Sequence, residues 1–251
     1  PNISWGIIFP LSWTLMQLIS SSGGMNMSDI RTLLPGLMAM SVLFGTTSML
    51  AVTITFERKG RSFDRLLLAP ISLSTMVADK LSGAILFGLF NAFVPVLFAS
   101  FFVDFVGINW GAALLAVFFI AVTSALLGLT IAVSAKEVFE AQTFSNFFRF
   151  PMLFLCGLFF PISRLPIFLQ PLSYLLPLTY GTDLLHRAIL GSGMLSLALC
   201  IFMLLAFAIV LFAFCQYNIR KKWIYRTYFS KRRPDEGVVQ CEIEFFGRLL
   251  K

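Results

Sequence analysis

Six long apolar blocks determine what this chain can fold into. The blocks cover residues 3–22, 34–56, 81–103, 111–135, 147–161 with its flanks, and 194–217. A hydrocarbon core about 30 Å thick requires roughly 20 consecutive apolar residues in a helix. With 58% hydrophobic and 12% charged residues, the chain also lies outside the range of soluble domains. The sequence therefore predicts an all-α membrane protein with six transmembrane helices.

Basic residues are distributed unevenly between the two sides of this topology. If residue 3 lies at the inner side, fourteen Lys and Arg residues are inner and three are outer. The inner residues are Arg58, Lys59, Arg61, Arg65, Lys80, Lys136, Arg149, Arg220, Lys221, Lys222, Arg226, Lys231, Arg232 and Arg233; the outer ones are Arg31, Arg164 and Arg187. Because Lys and Arg favour cytoplasmic loops, both termini are predicted to be cytoplasmic. The net charge of +7 follows the loops, so no nucleic-acid partner is expected.

The chain divides by composition into a membrane domain and a tail. Residues 1–220 contain the six blocks, and residues 221–251 form a cytoplasmic basic C-terminal segment followed by a tail without an assigned function. Neither an initiator methionine nor a basic region precedes the first block. We therefore expect upstream cytoplasmic residues and no cleaved signal peptide.

The inner loop after the second block reads ERKGRSFDRLLLAPIS over residues 57–72. Phe63, Leu66 and Leu67 recur at helical spacing, whereas the arginines lie mainly elsewhere around the axis, which predicts a short amphipathic helix ending before Pro70. One interpretation is a helix resting on anionic lipid. The other is docking to a cytosolic partner, with the apolar face on the bundle and Arg58, Arg61 and Arg65 directed at the partner.

The segment from residue 161 to residue 191 is predicted to be outer, yet it is far more apolar than an ordinary loop. Prolines divide it into pieces too short to span, so it is expected to form short helices that dip into the outer leaflet. Asp183 and Arg187 have the i,i+4 spacing of an ion pair. Between them, His186 is interpreted as an interfacial polar residue, with proton sensing as the alternative.

Several kinds of chemistry lack a sequence signature. No phosphate-binding loop, zinc-protease motif, hydrolase nucleophile motif or metal-ligating cluster is found, so the chain is predicted not to be an enzyme. The deep portions of the six predicted spans carry no ionisable residue, which argues against a proton relay and against a strongly ionic solute at mid-membrane. This favours an amphiphilic substrate. A sodium site built from backbone carbonyls is the remaining route to ion coupling.

Two segments resemble the permeases of the ABC type-2 exporter family, which includes drug-resistance and lipo-oligosaccharide exporters. ERKGRSFDRLLLAPIS is similar to the family's cytoplasmic segment, with its Glu-Arg pair, glycine and leucine-rich stretch ending in Pro-Ile-Ser. PISRLPIFLQPLSYLLPLTYGTDLLHRAILG is similar to the apolar segment before the last span. The order and spacing of the six spans agree as well. The family's cytoplasmic helix before the first span is absent from this sequence.

The resemblance implies a permease subunit in a prokaryotic plasma membrane. It would export a drug, a lipid or a lipid-linked glycan, using ATP and Mg bound by a separate ABC ATPase subunit. A second permease subunit, identical or different, and membrane lipids complete the expected partners. The implied coupling residues are Glu57, Arg58, Gly60, Arg61, Phe63, Arg65, Leu66, Leu67 and Pro70; the implied outer motif is Pro161, Pro171, Pro177, Leu178, Thr179, Tyr180, Asp183 and Arg187. The alternatives are an ion-coupled secondary transporter or channel, and a membrane scaffold.

Overall fold

Seven helices make up the described part of the chain. The computed structural model describes residues 27–60, 73–101, 105, 107–158, 162 and 165–219, together with residues 8, 12, 15 and 16. The helices are α1 Met27–Lys59, α2 Leu73–Ala99, α3 Trp110–Ser134, α4 Val138–Leu155, α5 Gln170–Tyr174, α6 Pro177–Leu190 and α7 Leu197–Ile219. These residues contain no strand. The chain forms two compact units, residues 1–215 and 216–251, and only residues 216–219 of the second are described.

Four predicted spans are confirmed as helices long and apolar enough to cross a membrane. Within the described residues these are Arg31–Lys59, Thr75–Ala99, Trp110–Ser134 and Leu197–Ile219. The first block lies mostly outside the described residues, and its four described positions are helical.

The predicted fifth span is displaced toward the inner side. The sequence predicts a helix over 147–161, whereas α4 covers Val138–Leu155 and is not among the four span-like helices. It begins after Glu137, where the Glu140 side chain accepts a hydrogen bond from the Lys136 N–H at 2.7 Å. It ends before Gly157, whose φ of 73° turns the chain. Polar residues that were predicted to lie in a loop therefore lie inside this helix.

Helix α1 is the centre of the bundle. It packs against α2, α3, α4 and α6. Of the residues in its most apolar stretch, 89% are buried by the rest of the chain, compared with 11% for α7. In lipid, helices associate through small and polar residues more than through apolar ones. Helix α1 carries buried Ser41, Thr46 and Thr47, which suits a central position, whereas the more apolar α7 keeps most of its surface on the outside.

Small residues allow α1 and α3 to approach closely. On α3, Ala121, Ser124, Ala125 and Gly128 form a buried stripe of small residues. A Cβ atom on Gly128 would lie 2.9 Å from the Thr47 carbonyl oxygen and 3.1 Å from its Cα. The backbones of the two helices therefore meet at Gly128.

The connecting segments gather at two opposite ends of the bundle. At one end, the Asn109 N–H donates to the Ala188 carbonyl at 3.0 Å, and Arg31 donates to the Ile189 carbonyl at 3.4 Å. At the other end, Glu57 pairs with Lys80. The segments predicted to be outer thus share one end, and those predicted to be inner share the other. We refer to these as the outer end and the inner end.

The contact at Gly128 provides a stability test. Gly128→Ala should lower the free energy of unfolding by about 1–3 kcal/mol, because the added methyl group meets backbone that cannot move independently. Gly83→Ala on α2 is the control, since a Cβ there has no neighbour within 4 Å. Thermal unfolding in detergent measures both. Equal melting temperatures for the two variants would contradict the close α1–α3 contact.

Candidate functional site

The inner end is held together by three side chains, which we call the inner clamp: Glu57, Arg58 and Lys80. Glu57, near the end of α1, forms an ion pair with Lys80 of α2. Its neighbour Arg58 donates from Nη1 to the Ala132 carbonyl at 2.9 Å and to the Ala135 carbonyl at 3.0 Å. Those carbonyls lie at the C-terminus of α3, where a cation is stabilised by unpaired C=O groups and the helix dipole. Two consecutive residues thereby fasten α1 to two other helices.

The structure gives the Glu57-Arg58 pair a different role from the predicted one. Arg58 was predicted to point toward a partner or lipid, but its guanidinium is directed at α3. Gly60, two residues further on, donates its N–H to the Phe56 carbonyl at 2.9 Å. The remaining predicted coupling residues, Arg61, Phe63, Arg65, Leu66, Leu67 and Pro70, lie outside the described residues. Two residues of the clamp, Glu57 and Arg58, are therefore the first residues of the predicted coupling segment.

The outer segment folds into two short helices, as predicted. Helix α5 carries Pro171 near its start, and α6 begins at Pro177. Proline suits these positions because its missing N–H is not needed in the first helical turn. Helix α6 packs against α1 and α3, and ten of its residues are buried. Pro161 lies outside the described residues.

The Leu-Thr-Tyr part of the outer motif fastens α6 to its neighbours. The Thr179 hydroxyl donates to the Ser173 carbonyl, and the Tyr180 hydroxyl donates to the Tyr174 carbonyl at 2.8 Å. Thr182 donates to the Cys156 carbonyl, just beyond α4, at 2.7 Å. Leu178 is buried at 2% exposure. Each of these residues is held by contacts within the chain. The hydrogen bonds of Thr179 and Tyr180 and the burial of Leu178 give this part of the motif a structural role.

Asp183 and Arg187 bind the same loop and not each other. The Asp183 carboxylate accepts hydrogen bonds from the N–H groups of Met194 at 2.6 Å and Leu195 at 3.2 Å. Arg187 donates to the Leu195 carbonyl. Glu57–Lys80 is the ion pair formed within the described part of the chain, and the predicted Asp183–Arg187 pair is not observed there. The two side chains fix the connection between α6 and α7.

An open cavity of about 340 Å³ lies at the outer end, between the start of α1, the end of α4, α5, α6 and the loop before α7. Its polar lining includes Thr182, Asp183 and His186. Nε2 of His186 lies 3.4 Å from the Gly157 carbonyl, which can only accept, so this nitrogen carries the proton. Burial lowers the pKa of His186 below its ordinary value, against smaller opposing effects of Gly157 and Asp183. The imidazole is therefore neutral at pH 7.

A layer of buried polar side chains in the middle of the bundle was missed at the sequence level. It consists of Ser41 and Ser48 on α1, Asn91 on α2 and Arg149 on α4, each at 0% exposure. We call these four residues the polar layer. Arg149 was counted among the inner loop residues, although the predicted fifth span, 147–161, includes its position; it lies inside α4 and is fully buried in the bundle. A basic residue two positions before Pro151, inside an apolar block, was the available signal.

Comparisons with known proteins agree on one family. The sequence model of the ABC-2 type transporter family matches residues 2–190. Inner membrane transport permease YadH of Escherichia coli K12 is 28% identical over 188 residues, covering 75% of this chain and 73% of YadH. Nodulation protein J of Sinorhizobium fredii is 28% identical over 209 residues, 80% of this chain and 78% of that protein. Probable multidrug ABC transporter permease YbhR of E. coli K12 is 23% identical over 167 residues, covering 65% and 45%.

The neutral state of His186 generates a prediction about pH. Its pKa is lower in the folded protein than in the unfolded chain, so the unfolded chain binds the proton first as the pH falls below about 6.5. Stability should therefore decrease between pH 7 and pH 5.5. His186→Gln, which keeps a donor for Gly157, should flatten this part of the curve. Parallel melting curves for both proteins across that range would contradict the assignment.

Proposed function

Because this chain belongs to the ABC-2 type transporter family and is the membrane subunit of an ABC transporter, we propose that it works in export. Its cargo would be an amphiphilic or lipid-like molecule: a drug, a lipid or a lipid-linked glycan. Energy would come from ATP and Mg bound by a separate ATPase subunit. The chain itself would carry out no chemistry, in keeping with relatives described as transport permeases.

The observation that carries this proposal is the overlap between the family match and the described bundle. The matched region, residues 2–190, contains α1 to α6 and both connecting motifs. The multidrug description of YbhR supports a hydrophobic or amphiphilic cargo. The apolar exterior of the bundle supports entry from the membrane, since Leu86, Phe90 and Leu97 on one side of α2 are each more than 60% exposed.

The proposed assembly contains two permease subunits, identical or different, and two ATPase subunits at the inner end. The excess of inner basic residues supports a cytoplasmic location for this end and for both termini. The first apolar block and α4 would complete a set of six spans. At 18 residues, α4 is about 27 Å long, close to the thickness of the hydrocarbon core.

The coupling element would be the amphipathic segment that follows Gly60. Its position next to the inner clamp supports this role, because force applied to residues 61–68 would pass directly into α1. From there, the Glu57–Lys80 ion pair reaches α2 and the Arg58 hydrogen bonds reach α3. Docking of the ATPase could in this way shift three helices together.

The outer segment would close the pathway from outside and rest in the outer leaflet. Ile167, Phe168 and Leu175 are 85%, 78% and 65% exposed. An apolar patch of this kind is unfavourable in water and favourable among acyl chains. The many hydrogen bonds of α6 would make it a rigid cap, so that opening requires displacement of the whole helix.

Charge reversal in the coupling segment tests the proposed function. Arg61→Glu and Arg65→Glu should uncouple ATP hydrolysis from transport, because attraction to the ATPase becomes repulsion. The measurement compares ATP hydrolysis with movement of a fluorescent acyl-labelled lipid in vesicles containing the permease–ATPase complex. Arg61→Ala and Arg65→Ala are the matched controls and should have smaller effects. Normal coupling in both reversal variants would leave lipid binding as the role of this segment.

A charge swap tests transmission through the inner clamp. Glu57→Lys and Lys80→Glu should each impair coupling, since each places like charges side by side between α1 and α2. The double variant restores an opposite-charge pair and should recover most of the coupling. The Glu57 and Lys80 side chains are each 23% exposed, so the loss of coupling in the single variants should become smaller as the salt concentration is raised. Equal loss in the double and single variants would show that the pair does not transmit the movement.

A further inference from the structure

The polar layer is unusual because its side chains find no hydrogen-bond partner within the described part of the chain. The unpaired atoms there are the three guanidinium nitrogens of Arg149, the hydroxyl oxygens of Ser41 and Ser48, and the two amide atoms of Asn91. Other hydroxyl groups on α1 are satisfied within the helix: Thr46 donates to the Val42 carbonyl at 2.7 Å, and Thr55 donates to the Ala51 carbonyl at 2.6 Å. Helix α1 can therefore satisfy hydroxyl groups internally, but it leaves these two serines unpaired.

The four residues of the polar layer lie along about two turns of α1, since Ser41 and Ser48 are seven residues apart, or about 10 Å along its axis. The guanidinium carbon of Arg149 is 5.1 Å from the centre of the Phe44 ring. Ser41 precedes Phe44 by three residues and Ser48 follows it by four, so both are its neighbours on the helix surface. Asn91 lies against Gly45, where a Cβ would collide with its amide. The layer thus surrounds the middle of α1.

An unpaired guanidinium at this depth is unfavourable. Burial removes its hydration, and the Phe44 ring replaces only part of that interaction. The acidic residues of the described chain are at the two ends, and Glu140, on the same helix, lies nine residues before Arg149, about 13 Å along the axis. A buried charge with no counter-charge among the described residues points to a functional role in another state.

The chemistry of the layer selects an anion. Arginine has five N–H donors and no acceptor, and its planar fork matches the oxygens of a phosphate or carboxylate. The serine hydroxyl groups on the turns of α1 that flank Phe44, and the Asn91 amide against Gly45, are further donors in the same part of the bundle. Charge-assisted hydrogen bonds of this type are stronger than neutral ones. A cationic or purely hydrocarbon group would leave these donors unsatisfied.

We infer that the polar layer is an internal binding site for the oxyanion head of an amphiphile, a phosphate or carboxylate carried on a hydrocarbon chain. Arg149 supplies the charge, and Ser41, Ser48 and Asn91 supply further hydrogen bonds. The direction of transport is taken from the proposed export function. The inference adds the chemical class of the substrate's polar head group. Neutral drugs are excluded as the preferred cargo.

Helix α4 provides a means of opening the site. Pro151 lies two residues after Arg149 and cannot donate a hydrogen bond to the Phe147 carbonyl four residues earlier. The helix is therefore weakest in the turn that contains Arg149, and bending there separates Arg149 from Phe44. All four side chains are inaccessible in the present arrangement, so an anion could reach them only after such a bend.

Binding to the full chain in dodecyl maltoside tests the inference without the ATPase. The probes are dodecyl phosphate below its micelle concentration, dodecyltrimethylammonium with the same chain, and inorganic phosphate. Wild type should bind dodecyl phosphate about tenfold more tightly than the ammonium compound, as expected for a charge-assisted contact. Inorganic phosphate binding as tightly as dodecyl phosphate would overturn the amphiphile as the carrier of the anion.

Four variants test which residues are responsible for the preference for dodecyl phosphate. Arg149→Met should abolish the preference for dodecyl phosphate and raise the melting temperature of the unloaded protein, because it removes an unpaired buried charge. Arg149→Lys should retain a reduced preference, and Ser48→Ala should weaken binding a few-fold without destabilisation. Lys136→Met removes one positive charge at an exposed inner position and should leave binding unchanged. The four variants therefore separate local recognition from general attraction to the protein's net charge.

Two results would overturn the inference. One is a lower melting temperature of unloaded Arg149→Met, since Arg149 would then stabilise the resting bundle. The other is retention of the dodecyl phosphate preference in that variant. Neither depends on ATP hydrolysis or on the orientation of the chain. Failure of the anion site is therefore distinguishable from failure of the proposed export function, which is measured by coupling in vesicles.

Discussion

The burial of α1 on all sides is the constraint on which the rest of the structure depends. In hydrocarbon, apolar side chains gain little from leaving lipid, so helices associate through close backbone contact and polar groups. Helix α1 uses both. Gly128 of α3 admits the backbone at Thr47, and Gly36 lies against the Leu158 carbonyl beyond α4. Because these contacts involve backbone atoms, α1 cannot move without displacing its neighbours.

Polar contacts are concentrated at the ends of the bundle, where they fix helices without a large desolvation cost. The inner clamp uses one ion pair and two hydrogen bonds to the carbonyls that end α3. The outer end uses threonine, tyrosine and aspartate side chains directed at loop backbone. Apart from the Glu57–Lys80 ion pair, the partners in both places are backbone groups left unpaired by a helix end or a turn. Side chains near helix ends thus define the geometry of the bundle.

The sequence was sufficient for the class of fold and for elements bounded by clear signals. Block length predicted α1, α2, α3 and α7, and the prolines at positions 171 and 177 predicted the short outer helices. The roles of residues that depend on tertiary contacts could not be predicted from the sequence. The i,i+4 spacing of Asp183 and Arg187 suggested an ion pair, but both bind a loop that follows α6 in the chain.

Helix α4 shows the physical origin of the largest error. The run of apolar residues predicted the second half of the helix. The first half is polar, so it was interpreted as a loop. Gln142 and Asn146 hydrogen-bond to each other along the helix at 3.4 Å, and such pairs stabilise a helix independently of hydropathy. With this extension, Arg149 lies in the second half of the helix and not at its start, and it is buried in the bundle.

The polar layer and the inner clamp can be understood as opposing contributions to one equilibrium. Close backbone packing and the clamp favour the closed bundle, whereas the unpaired Arg149 guanidinium destabilises it. An anion that pairs with Arg149 only when α4 bends would stabilise the open form, and its differential affinity sets the size of the shift. If Arg149 already had a protein carboxylate as its partner, a substrate would have to displace that group and would gain less. A buried charge without a partner therefore makes the closed state responsive to cargo, while the clamp keeps α1, α2 and α3 together during the change.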